Sequence, residues 1–169
     1  TATEVVYGIL NVLTPLVSPK GVLGRHNIIV ALDEGRNWRQ LVDPSYKNGR
    51  GGTNNPALRF GAQIARLPAQ LAKFGIRTVS VPTLEGDDVI ALLAERKDLQ
   101  GTKCILSKDK DLLAFVRDDV YCFNPSIKIL VTPRNFGTYT QALFKTAAPL
   151  SPQNLPIFRA LVGDTSDNL

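Results

Sequence analysis

Residues 76–116 read IRTVSVPTLEGDDVIALLAERKDLQGTKCILSKDKDLLAFV, and within them the hydrophobic period switches repeatedly. Ile76 to Val81 is short and β-branched, as a strand is, while Asp87 to Arg96 places its apolar residues at helical spacing. Lys103 to Leu106 is strand-like again, and Lys110 to Val116 is helical again. Both strand-to-helix joints are acidic: LEGDD at 84–88 and SKDKD at 107–111. Strands alternating with helices argue for a parallel sheet, because parallel neighbours are joined through crossovers and crossover helices bury themselves on the sheet faces.

The pattern extends in both directions. Asn27 to Asp33 (NIIVALD) is a nearly continuous apolar run ending in a carboxylate, as a buried parallel strand does at its carboxyl end. Val120 to Phe123 and Ile127 to Val131 are short strands around an Asn124-Pro125 turn. Residues 3–17 are helical, opened by Thr1 and Glu4 spaced as a capping box. Residues 57–74 are helical too, closed by Gly75 at the C′ position, with Pro68 predicting a kink or two helices end to end. Helices over 133–145 and 152–162 each have Pro in the first turn and Thr132 or Ser151 as N-cap. Between them, Glu34 to Pro56 loses all period and reads as a long loop or arch, rich in Gly, Asn, Pro and basic residues. The expected fold is α/β, a twisted, mostly parallel central sheet with helices on both faces.

The totals agree with that fold. A chain of 169 residues, 44% hydrophobic and 21% charged, suffices for one domain with a sizeable core, and it contains no internal repeat or low-complexity tract. No apolar run approaches the ~20 residues that span a bilayer, and no signal peptide opens the chain. Cys104 and Cys122 lie in strand-like runs without CxxC spacing, and read as reduced core thiols of a cytoplasmic protein. The lone His26 begins a strand and reads as an ordinary polar residue. With no Met and a first residue that sits directly at a helix start, the chain reads as a piece of a longer protein.

The net charge of +5 is local. Arg36, Arg39, Lys47, Arg50, Arg59 and Arg66 face a single acid, Asp43, within 36–66, so that this window accounts for the whole excess. A solvated loop explains such a stretch, and so does a phosphate-binding surface.

Eight of the fifteen acids fall into four groups at strand ends or tight turns: Asp33; Glu85, Asp87 and Asp88; Asp109 and Asp111; Asp164 and Asp167 in GDTSDN. Singly, each is explained by helix capping or an Asx turn. Capping needs one acid per helix, however, and here two or three recur. In a doubly wound sheet the loops after the strand ends converge on one edge. Several carboxylates gathered there repel one another unless cations neutralise them. Oxygen-only ligation without His or Cys selects Mg²⁺ or Mn²⁺ over zinc. Two such ions beside a basic loop suit phosphodiester hydrolysis, with the basic groups positioning the phosphates.

LEGDDVIALLA, ILSKDKDLLAFV and ALVGDTSDNL resemble the three acidic motifs of the 5′-nuclease family, in their order and approximate spacing. That family includes the 5′→3′ exonuclease domain of bacterial DNA polymerase I, the bacteriophage 5′-nucleases and the flap endonucleases. VALDEGRNWRQLVDPSYKNGR resembles its strand-Asp segment followed by its basic YK-x-x-R element, and TEVVYGILNVL its first helix. The resemblance spans essentially the whole chain. It implies a PIN-like core with a basic arch and a Mg²⁺-dependent, two-metal hydrolase, Mn²⁺ substituting, acting on DNA with 5′ flaps or 5′ ends, RNA/DNA primers included. A monomer in the cytoplasm, bacterial or of a phage host, is implied as well.

Carried over by position, Asp33, Glu85, Asp87 and Asp88 would bind or surround the first metal; Asp109 and Asp111 would lie between the sites or serve the second, with Asp164 and Asp167 completing it. Lys47 and Arg50 match the family's basic pair at the scissile phosphate. Arg39 matches a substrate-phosphate Arg, and Tyr46 would stack on a base, although Tyr46 and Trp38 are equally readable as packing anchors. Two departures stand out: the family's additional metal-site Asp on a strand before the first helix, and its helical DNA-binding element after the SDN motif, both fall outside these 169 residues. Residues 1–169 are thus expected to form a single catalytic core lacking those two parts. The competing readings are a PIN-type ribonuclease, a receiver-type phosphorylation domain, which needs neither the basic arch nor GDTSDN, and a non-catalytic DNA-binding scaffold of nuclease fold.

Overall fold

The computed structural model describes residues 4–17, 27–35, 37–46 and 56–163. They divide into two compact units, Thr1–Val89 and Ile90–Leu169.

In the first unit, α1 (Glu4–Val17) buries Val6, Leu13 and Leu16, one stripe at helical spacing, and packs against α3 (Pro56–Ala72). Gln63 on α3 accepts the Val5 N–H at 3.1 Å, so an early donor of α1 is satisfied by its neighbour. Pro68 lies inside α3, which nevertheless runs as one helix rather than two end to end. Gly75 follows it at φ +71°, the left-handed position the sequence reserved for it. Strand β1 (Ile29–Ala31) pairs in parallel with β2 (Arg77–Val79), Val30 opposite Thr78, and α3 packs on β2. The stretch expected to be one long loop contains a short helix, α2 (Trp38–Val42), followed by a turn at 44–46. The local signal was present: Asn37 caps α2 by accepting the Gln40 N–H at 2.9 Å, an Asn-x-x-Gln start hidden among the loop-forming residues around it.

The second unit holds β3 (Lys103–Leu106) parallel to β4 (Val120–Asn124), and β4 antiparallel to β5 (Ile129–Val131). The antiparallel pair follows from its four-residue connection, which is too short for a crossover. A ₃₁₀ turn covers Asp111–Phe115 where a helix over 110–116 was expected. Its core gathers Leu112, Leu113, Val116, Val120, Cys122, Val131, Phe136 and Leu155, from five segments of chain. Helices α5 (Phe136–Phe144) and α6 (Leu155–Val162) close the unit, and α6 packs on the 3₁₀ turn. Helix α4 (Gly86–Glu95) runs across the boundary between the units.

The α/β fold with mostly parallel strand pairs is as expected, and the described strands lie in two small sheets, β1–β2 and β3–β4–β5. One expectation needs correction. Cys122 is a buried thiol as expected, its Sγ–H donating to the Leu112 carbonyl at 3.3 Å, whereas Cys104 is exposed, because alternate residues of a strand face opposite sides and the core lies on the side of Ile105. The basic pair Lys47 and Arg50, Arg36, His26, Thr1 and the acids Asp164 and Asp167 lie outside the described residues.

Candidate active site

In the first unit, the acid just after the end of β1 and the acidic turn that starts α4 are brought together. Asp33 follows β1 and accepts the Gly86 N–H on Oδ1 at 2.5 Å. Residue 86 must be small for this approach: a Cβ there would stand 3.2 Å from Asp33 Oδ1 and 3.6 Å from the Ala31 carbonyl oxygen. Thus two segments some fifty residues apart in sequence place Asp33 against the LEGDD turn.

That turn is itself held from behind. Pro82, Thr83 at φ +71° and a Leu84 N–H to Val81 carbonyl bond of 3.0 Å make a type II turn, and the Thr83 carbonyl accepts the Trp38 N–H at 2.8 Å. The start of α2 is thereby tied to the acidic motif. Asn37, buried, donates its Nδ2–H to Glu85 Oε1 at 3.1 Å. Arg39 donates to Glu85 Oε2 at 3.2 Å and to Asp88 by two bonds of 2.8 and 2.9 Å. The guanidinium also lies 4.7 Å from the centre of the Trp38 ring. These bonds from Arg39, above all, hold the Asp88 carboxyl below the usual carboxylate range, and Asp88 in turn raises Arg39. Tyr46, set by the Asp43 turn in which Asp43 Oδ1 accepts from both the N–H and the hydroxyl of Ser45, brings its hydroxyl to 3.4 Å from Glu85 Oε2.

In the second unit, SKDKD folds as two linked side-chain turns. Ser107 Oγ accepts the Asp109 N–H at 3.0 Å and Asp109 Oδ1 accepts the Asp111 N–H at 2.8 Å. Asp111 is exposed and takes a bond from Arg159 Nε on α6 at 2.8 Å. Among the described residues, no three His, Cys, Asp or Glu side chains come together as a ready metal site. Glu85 and Asp88 are turned to Arg39 and Asp111 to Arg159. The donor set is nonetheless oxygen throughout, which fits a hard divalent cation.

Sequence reasoning named Arg39, Tyr46 and the acids but missed Asn37 and Arg159. Asn37 was legible as a cap; Arg159, 48 residues from Asp111, had no local signal.

The family model described as "5′-3′ exonuclease, N-terminal resolvase-like domain" matches residues 1–146. The 5′-3′ exonuclease of Aquifex aeolicus is 31% identical over 168 residues, which cover 99% of this chain and 54% of that protein. DNA polymerase I of Mycobacterium bovis is 32% identical over 169 residues, 99% of this chain and 18% of the polymerase. A T5 protein co-crystallised with metal ions has a similar fold, with TM-score 0.70 and 21% identity over 99% of this chain and 61% of that one. The bacteriophage T5 flap endonuclease in complex with DNA and metal ions superposes with TM-score 0.59 and 17% identity, covering 96% of this chain and 69% of the endonuclease chain. The chain spans about half the length of the exonucleases it matches, at 54%.

Proposed function

Since the chain belongs to the 5′-3′ exonuclease family through its N-terminal resolvase-like domain, we propose that it is the catalytic core of a structure-specific 5′-nuclease. The whole protein hydrolyses DNA phosphodiesters at 5′ ends and 5′ flaps, RNA/DNA primers included, with two Mg²⁺ ions for which Mn²⁺ substitutes. It works as a monomer, in a bacterial cytoplasm or that of a phage host. The single catalytic core extends over 1–169 and is completed by a preceding strand and a following helical element. The observation that carries the reading is the seating of Asp33 on the Gly86 N–H, which joins two of the four acidic segments in one place.

The roles follow from donor chemistry. Asp33, Glu85 and Asp87, with Asp88 beside them, serve one cation; Asp109, Asp111, Asp164 and Asp167 serve the other. Bound there, the pair of ions supplies an activated water and stabilises the leaving oxygen. Lys47 and Arg50 hold the scissile phosphate in line, and Tyr46 stacks on a base near the cut. Arg39, which resembles the family's substrate-phosphate Arg, is held in this chain by Glu85 and Asp88. No helix among the described residues is long and apolar enough to cross a membrane.

The test is cleavage of 5′-flap and pseudo-Y DNA by the full-length protein with Mg²⁺ or Mn²⁺. Absence of cleavage alongside normal DNA binding would sink the enzyme reading. Asp111→Asn is expected to abolish cleavage and spare binding. Lys47→Ala should slow the chemical step and lower the salt dependence of binding by about one phosphate contact.

A further inference from the structure

The first turn of α4 contains an arrangement that the roles above leave unexplained. Glu85 is the residue before the helix and Asp88 stands three residues on, accepting the Glu85 N–H as the returning half of a capping box does. Both carboxylate oxygens of Asp88 are engaged by donors of this chain. Oδ1 accepts Arg39 Nη2 at 2.9 Å; Oδ2 accepts Arg39 Nη1 at 2.8 Å and the Glu85 N–H at 3.1 Å. The same Nη1 reaches Glu85 Oε2 at 3.2 Å, while Asn37 Nδ2 reaches Glu85 Oε1 at 3.1 Å. Glu85 is therefore gripped through both oxygens by the N-terminus of α2, and Asp88 fixes the guanidinium that does half of the gripping.

We propose that Asp88 and Arg39 are a positioning pair that sets the orientation of the Glu85 carboxylate, with Asp88 outside the metal ligand set and Arg39 outside the DNA phosphate contacts. For a cation to take Asp88 it would have to break a two-bond fork and a helix cap together, and such forks are the strong form of ion pair. For a phosphate to take Arg39 it would have to compete with two carboxylates that the fold has already placed. What Glu85 is positioned for rests on the nuclease reading; the pair itself does not.

The experiment uses full-length protein with Arg39→Ala, Asp88→Ala, the double variant and Glu85→Ala, together with the milder Arg39→Gln and Asp88→Asn should an alanine variant fail to fold. Mn²⁺ stoichiometry and affinity are read by electron paramagnetic resonance, and unfolding midpoints are taken in EDTA. Flap cleavage is followed for kcat, DNA KM and salt slope. The expected result is that Arg39→Ala and Asp88→Ala lower kcat by equal factors of about tenfold or more, as losses around a metal ligand do. The double variant is no worse than either. DNA KM and salt slope stay unchanged, and two Mn²⁺ still bind, with affinity altered equally in both variants. Loss of one Mn²⁺ in Asp88→Ala but not in Arg39→Ala would make Asp88 a ligand and overturn the proposal. So would a raised DNA KM with a salt slope lower by about one in Arg39→Ala at unchanged kcat, or additive shifts of the two midpoints in EDTA. Should the unaltered protein cut nothing, the nuclease reading fails alone, because the coupling in EDTA is measured without metal or DNA.

Discussion

Thr83 occupies a backbone position that its side chain disfavours. It is the third residue of the Val81-Pro82-Thr83-Leu84 turn, with φ +71°, where glycine or asparagine is at ease and a β-branched residue is an outlier. Left-handed backbone costs a non-glycine residue about 1–2 kcal/mol, and glycine gives back part of that through its freer unfolded chain. Thr83→Gly is therefore expected to stabilise the protein by about 0.5–1 kcal/mol, read as a higher urea midpoint from the fluorescence of Trp38, the single tryptophan. A lower midpoint would show that the Thr83 side chain contributes more than its backbone costs. The strain sits two residues before Glu85, and its carbonyl anchors the Trp38 N–H, so this residue links the turn to α2. Sequence reading saw the acids that follow it but not this position, since Val-Pro-Thr-Leu contains no glycine to announce a left-handed residue. Asp33 against Gly86 was half legible: the strand-end acid could be read, while the close approach that leaves little room for a side chain at 86 depends on β1 pairing with β2.

At the level of elements, the start of α5 and of α6 shows how a correct signal can be misplaced by one turn. Both are preceded by the same spacing, Thr132-Pro133-Arg134-Asn135 and Ser151-Pro152-Gln153-Asn154. Thr132 and Ser151 were the expected caps. Each proline instead sits in a turn, closed by the Phe136 N–H to Thr132 carbonyl bond at 3.0 Å and the Leu155 N–H to Ser151 carbonyl bond at 3.1 Å, and the helices begin three residues later behind Asn135 and Asn154. Asn135 secures its turn by accepting the Thr132 N–H on Oδ1 at 2.7 Å. The residue delivered inward by the second turn is Leu155, 0% exposed and part of the core beneath the 3₁₀ turn. Leu155→Ala should cost about 2–5 kcal/mol, the range for a buried leucine whose site collapses only partly, measured by chemical unfolding. A loss under about 1 kcal/mol would mean that α6 is not seated as described. Since α6 also supplies Arg159 to Asp111, the same substitution is expected to loosen the SKDKD acids.

Over the whole chain, the two units rest on ladders of different extent. In the second, β4 is paired on both sides, and Val120, Phe123 and Val131 are each no more than 1% exposed. In the first, β1 and β2 share three residue pairs, Ile29 with Arg77 to Ala31 with Val79. Backbone bonds flanked by buried apolar side chains open only when the surrounding core opens, whereas a three-pair ladder can open locally. Hydrogen exchange should therefore find the slowest amides of the chain in 120–123 and 131, and faster ones in 29–31 and 77–79. The acidic motif at 84–88 belongs with the faster group in its loop portion, because its order comes from side chains such as Arg39 and Asn37, each anchored at one end of a short helix. If 29–31 proved as protected as 120–123, the β1–β2 pair would draw stability from more than its own three rungs. Under the predicted order, the scaffold beneath Asp109 and Asp111 is the rigid part, and the place where Asp33 meets Gly86 is the part most open to being tightened by a bound cation or substrate.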